Sequence, residues 1–238
     1  SALARLYLAA GHRVEGICRD EASCQQTRAA LASGSFSARA CDLSDPKAVD
    51  ALGRDASAQE FDLAVFAAAT LETGYVDQLD PAAYRRSLEV NFLAPMTLFS
   101  AMAKTPCKRF VFILSGAADL LIPGLSPYAL SKRVLRDYLS ILHMEESFPG
   151  CRILAVWPGQ VATRINEKAR KHGTFRAPPL KNPRAPEDVA ARIVDAEVAG
   201  RKTLVLSSLP LLAGALQAGL CSGLFERLLR WHPAFRRH

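Results

Sequence analysis

The stretch "RFVFILSGAADLLIPGLSPYALSK", residues 109–132, holds a strand, a turn and the start of a helix. "RFVFIL" is continuously apolar rather than alternating, as expected of a strand buried on both faces of a parallel sheet. The "SP" before Tyr128 is a helix start, with Ser126 placed to cap and Pro127 suited to the first helical position. On that helix Tyr128 and Lys132 lie four apart and share a face. Ser115 leaves the carboxyl end of the strand, the edge at which open α/β sheets bind their ligands.

Working outward, the same alternation runs along the whole chain. Strand-like runs are "HRVEGIC" (12–18), "FSARA" (36–40), "DLAVFAAA" (62–69), "RILAVW" (152–157) and "KTLVL" (202–206). Helical windows fall between them at 2–10, 20–32, 46–56, 81–104, 127–146 and 186–199. Strand followed by helix, repeated, predicts right-handed crossovers and a doubly wound, Rossmann-like parallel sheet. The fold class is α/β. One domain spans residues 1–238, with 210–238 as an apolar and basic helical extension of it.

The net charge of +7 raises the question of nucleic acid. Location weakens that reading. Residues 161–186 carry seven basic side chains against Glu167 alone, and no nucleic-acid motif accompanies them. The six cysteines form no C-x-x-C pair, which fits a reducing, cytoplasmic setting, and the five histidines lack metal-ligand spacing, so no metal is expected. Residues 203–225 contain no charge, yet Pro210 restarts the chain as a helix short for a bilayer span, which leaves a true span as the least favoured reading. That helix, 211–225, suits a cover over an apolar pocket or a partner; peripheral membrane contact is the alternative.

Tyr128 and Lys132 together suggest acid–base chemistry. A phenol with a pKa near 10 is a poor catalyst at neutral pH. An ammonium about 4 Å away contributes roughly 4 kcal/mol at an effective dielectric of about 20, or up to about 3 pKa units. A hydroxyl at Ser115 can hydrogen-bond a carbonyl oxygen whose charge changes during hydride transfer. Alone, Y-x-x-x-K also arises as an ordinary surface helix.

Ser115 lies thirteen residues before Tyr128, and the combination resembles the short-chain dehydrogenase/reductase family. "SLEVNFLAP" resembles the family helix that carries a fourth catalytic residue, Asn91, in a relay that holds a water against the lysine. "WPGQVAT" is similar to the family's P-G-x-x-x-T segment. It implies Pro158 and Gly159 at the cofactor, with Val161 and Thr163 at the nicotinamide carboxamide. "CDLSD" resembles the D-[LV] after the third strand, which implies that Asp42, with Leu43, meets the adenine. "FAAA" stands where the family has N-N-A-G, so Ala67 and Ala68 would touch the adenosine ribose through backbone, without the side chains that brace the central strands. "RAPEDVAARIV" and "GRKTLVL" resemble the last helix and strand. The resemblance implies a catalytic set of Ser115, Tyr128, Lys132 and Asn91, with Tyr128 and Lys132 also at the nicotinamide ribose.

In "GICRD" Cys18 occupies the family's acidic position and Arg19 follows, which implies NADP rather than NAD, with Asp20 capping the next helix. By the same resemblance, a first strand and glycine-rich turn would lie immediately upstream of Ser1. In the family's strand order, 3-2-1-4-5-6-7, that strand sits centrally. Its loss would part the strands either side, expose two edges and weaken cofactor binding. The implied activity is NADP-dependent interconversion of a carbonyl and a secondary alcohol. The basic segment and apolar extension point to a hydrophobic or carrier-linked carbonyl substrate. A non-catalytic NADP-binding protein or a membrane-associated interaction protein is the alternative, and a homodimer or homotetramer paired through helices 81–104 and 127–146 is expected.

Overall fold

A computed structural model describes residues 1–120, 122–163 and 182–206. In chain order it runs α1 (Ala2–Ala9), β1 (Val14–Cys18), α2 (Glu21–Leu31), β2 (Phe36–Ala40), α3 (Pro46–Ser57), β3 (Ala64–Phe66) and α4 (Pro81–Leu88). A π turn (Glu89–Leu93) leads into α5 (Ala94–Met102), followed by β4 (Arg109–Ile113) and a 3-10 turn (Gly116–Ala118). Then come α6 (Ser126–Glu145), β5 (Arg152–Trp157), α7 (Pro186–Val198) and β6 (Thr203–Val205).

All pairings between these strands are parallel. Two sheets result, one of order β1-β2 and one of order β3-β4-β5-β6. Among the described residues no ladder joins β1 to β3, the separation expected from the strand order. The extension at 210–238 and the basic residues 164–181 lie outside the described residues. No helix among the described residues is long and apolar enough to cross a membrane.

Burial explains why the strands read as continuous apolar runs. On β4, Phe110 and Phe112 face one cluster while Val111 and Ile113 face another. On β5, Ile153 and Ala155 share the first cluster, and Leu154 and Val156 the second. The first cluster is aromatic. Phe99 of α5 meets Phe110, Phe112 and Phe148 edge-on at 4.8, 5.7 and 4.9 Å between ring centroids. The second takes Val189, Ile193 and Ala196 from α7. Helices therefore cover both faces of the larger sheet, the arrangement a parallel sheet requires. A third cluster, Cys41, Val49, Leu52, Ala94 and Leu98, docks α3 on α5.

The helix starts follow local chemistry. Asp20, Asp45 and Asp80 each cap a helix by accepting a backbone N–H, and Pro46 and Pro81 stand just inside. The expected Ser126 cap is corrected. Leu125 occupies the cap position with no side-chain bond, and Ser126 is the first helical residue. Its hydroxyl is 2.8 Å from Tyr84 Oη on α4, so the competing tertiary contact takes it. The expected single helix over 81–104 is interrupted by the π turn, a local widening that recurs at functional sites.

Candidate active site

Strand β4 delivers Ser115. Its ladder continues past the strand through Leu114 N–H to Val156 O at 2.8 Å, and Ser115 then enters the 3-10 turn in extended conformation. Its Oγ accepts the Ala117 N–H at 3.1 Å. Because that bond occupies a lone pair, the hydroxyl proton is left to point away from the turn. The Ser115 hydroxyl stands close enough to the Tyr128 phenol to favour its ionised form.

Lys132 is 3% exposed, and its Nζ donates to the carbonyl of Ile113, at the end of β4, at 2.8 Å. Burial brings its pKa from 10.5 down to about 8. Burial also pushes the Tyr128 phenol above its ordinary value, with the Ser115 hydroxyl acting the other way. This corrects the expectation that Lys132 lowers the phenol. The ammonium rests on the Ile113 carbonyl, and the group that favours the phenolate is the Ser115 hydroxyl.

Asn91 lies within the π turn and is 1% exposed. Its Oδ1 accepts Thr70 N–H at 2.9 Å, and its Nδ2 donates to Thr70 O at 3.0 Å and Ser131 Oγ at 2.9 Å. The amide thus braces the segment after β3, where "FAAA" supplies no side chain able to do so. Ser131 also donates to Tyr128 O at 2.8 Å. Neither Ser131 nor Thr70 stood out in the sequence. Ser131 lies inside the quoted motif, but nothing local marks a buried serine as the link between two helices.

The residues expected at the cofactor stand at the carboxyl ends of the strands. Arg19 follows β1, exposed, with Nε 3.2 Å from Asp20 Oδ2. Asp20 caps α2 as expected, accepting Ser23 N–H at 2.8 Å. Asp42 follows β2; its Oδ1 accepts Ser44 N–H at 2.9 Å and Ser44 Oγ–H at 2.7 Å. Those bonds hold its carboxyl below the usual range, with a further contribution from Arg19. Leu43 packs into the third cluster, and Ala67 and Ala68 follow β3 exposed. Pro158 and Gly159 follow β5. Gly159 has φ +72°, a left-handed conformation that glycine adopts without strain. Val161 forms an isolated parallel bridge with Arg184, and Thr163 is the last described residue of that segment. The expected residues that come from strands thus follow the carboxyl ends of β1 to β5, and Asn91 is hydrogen-bonded to the Tyr128–Lys132 helix through Ser131.

A family model described as short chain dehydrogenase matches residues 1–173. The chain is 30% identical over 168 residues to the short chain dehydrogenase pigC of Monascus ruber, covering 67% of this chain and 55% of that protein. It is 26% identical over 246 residues to dehydrogenase/reductase SDR family member 7B of Bos taurus, covering 95% of this chain and 75% of that one. The chain thus spans little more than half the length of the first of these relatives. Among solved structures, a short-chain dehydrogenase from Sphingobium yanoikuyae in complex with NADPH superposes with a TM-score of 0.76 at 18% identity, over 100% of this chain and 93% of that one. With the family match spanning most of its length and the strand-end site in place, this chain belongs to the short chain dehydrogenase family.

Proposed function

We propose that this short-chain dehydrogenase is an oxidoreductase that interconverts a carbonyl and a secondary alcohol with NADP(H). The observation that carries the reading is buried Lys132, four residues after Tyr128 on α6 and bonded to the end of the strand that delivers Ser115.

The residues fit a nicotinamide cofactor. Among the described residues Lys132 Nζ donates to the Ile113 carbonyl, and no carboxylate pairs with it. An ammonium has three donors, so a ribose diol suits what remains. Arg19 suits a 2′-phosphate, being exposed and engaged by Asp20 only through Nε. Asp42 would meet the adenine, Ala67 and Ala68 the adenosine ribose, and Pro158, Gly159, Val161 and Thr163 the nicotinamide side. When bound, NADPH supplies the hydride.

The chain's own part is proton transfer and orientation. Tyr128 Oη donates a proton to the substrate oxygen as negative charge develops there. Its raised pKa keeps it protonated for that role. With substrate bound, the Ser115 hydroxyl, its lone pair held by Ala117 N–H, turns its one proton from the phenol to the same substrate oxygen. Lys132, held on the Ile113 carbonyl, would grip the nicotinamide ribose. Asn91 fixes the helix that carries both. The reverse oxidation uses the same groups.

A hydrophobic or carrier-linked substrate is supported by the basic residues 164–181 and the apolar extension. A homo-oligomer is supported by Leu130, Val134, Ile141 and Met144, exposed at helical spacing along α6. A cytoplasmic setting is supported by the five free thiols among the described residues. The test is ketone reduction by the full-length protein and by Tyr128→Phe. Turnover should fall about 10²- to 10⁴-fold with NADPH binding kept. A variant that keeps more than about a tenth of the activity refutes the acid role. NADPH binding without reduction of any ketone favours the non-catalytic alternative.

A further inference from the structure

Asp119 stands four residues past Ser115, at the C-terminal cap of the 3-10 turn, and is buried. Its two oxygens reach two other elements. Oδ1 accepts from Arg136 Nη1 at 2.5 Å, and Oδ2 accepts from Trp157 Nε1 at 2.9 Å. Arg136 lies four residues beyond Lys132, on the face of α6 that carries Tyr128 and Lys132. Its Nη1 also reaches Ala118 O at 3.4 Å, and its other flank is held by Asp137. Trp157 ends β5, directly before Pro158 and Gly159. One carboxylate therefore ties together the Ser115 turn, the Tyr128–Lys132 helix and the strand end that leads into the expected nicotinamide segment.

The turn that Asp119 anchors sets the direction of the Ser115 hydroxyl. It is closed by Ala118 N–H to Ser115 O at 3.0 Å and Asp119 N–H to Gly116 O at 3.2 Å. Such i to i+3 bonds have poor geometry and hold only short pieces. Hydrogen bonds that involve a charged partner are roughly twice as strong as neutral ones. The carboxylate is therefore the firmer constraint on where this turn sits relative to α6.

We propose that Asp119 is a positioning residue for Ser115, holding its hydroxyl against the Tyr128 phenol through paired bonds to Arg136 and Trp157. This rests on the reading of Tyr128 as the proton donor. Asp119→Asn replaces one acceptor with an amide donor and cannot serve both Arg136 and Trp157. Trp157→Phe removes one bond and keeps the ring.

The experiment measures kcat, NADPH affinity and the ultraviolet titration of the Tyr128 phenol, taken as a difference against Tyr128→Phe in each background. In Asp119→Asn, kcat should fall about ten- to hundredfold while the NADPH dissociation constant stays within about twofold. The phenol should titrate at higher pH, because the nearby Ser115 hydroxyl is what draws it down. Trp157→Phe should move both readouts the same way by a smaller factor. Wild-type kcat and an unmoved phenol in both variants, even with a lower melting temperature, would leave Asp119 a brace of the fold and overturn the proposal. Loss of NADPH binding in step with kcat would overturn it too. Should Asp119→Asn fail to fold, Trp157→Phe decides on the same readouts. Should the wild-type protein reduce no carbonyl, the functional reading fails by itself, and the phenol titration still tests Asp119.

Discussion

Lys132 offers the sharpest test of the site, because burial and function oppose one another there. The side chain is 3% exposed, and burial alone lowers its pKa from 10.5 to about 8. At about 1.4 kcal/mol per pKa unit, that drop corresponds to about 3 kcal/mol of unfavourable charge burial. The sign follows from proton binding. Between about pH 8 and 10.5 the unfolded chain holds this proton and the folded protein releases it, so wild-type stability rises with pH across that window. Below about pH 8 both states are charged, and the penalty is felt in full.

Lys132→Met keeps much of the side-chain volume and removes the titration. The assay is urea unfolding of both proteins at a series of pH values from about 7 to 11, with stability read from the midpoints. Relative to wild type, the variant should lose about 3 kcal/mol of stability across that range, as the wild-type penalty is relieved. At about pH 7 the lost bond to Ile113 O, worth about 1.5–3 kcal/mol for a charged donor, offsets much of the variant's gain. The pH dependence therefore carries the test. A stability difference that stays flat across the range would refute the reasoning, since it would mean that Lys132 titrates alike in both states.

Arg19→Ala should weaken NADPH binding about ten- to hundredfold, the loss of a charge-assisted phosphate contact, while NADH binding is unchanged; fluorescence titration with each nucleotide checks this. Arg109 Nε and Nη2 grip Glu197 at 2.6 and 2.8 Å, and Glu197 is 5% exposed. Arg109→Ala strands that carboxylate and should cost about 3–5 kcal/mol by denaturant titration, whereas replacing both partners with leucine should cost much less. Val134→Glu with Ile141→Glu places charge on the exposed apolar stripe of α6 and should reduce the protein to monomers in light scattering, with the fold kept by circular dichroism.

The apolar runs alone determined the strand positions. "FSARA" and "RILAVW" became strands of the expected extent; in the second, burial from Ile153 to Val156 leaves no room for polar residues on either face. The aspartate and proline pairs at Asp45–Pro46 and Asp80–Pro81 determined helix starts, since capping is settled within one turn. The Ser115, Tyr128 and Lys132 spacing marked the site. Tertiary structure decided what those residues do to one another. Lys132 turns to the Ile113 carbonyl, Ser126 leaves its cap position for Tyr84, and Asn91 spends its amide on Thr70 and Ser131. Asp119, Arg136 and Trp157 come from three separate elements, and no spacing in the chain announces that they meet. The physical reason is common to all of these. Patterning and capping are local, whereas a buried polar group takes whichever partner packing brings within reach, and a phenol or ammonium has its pKa set by that burial.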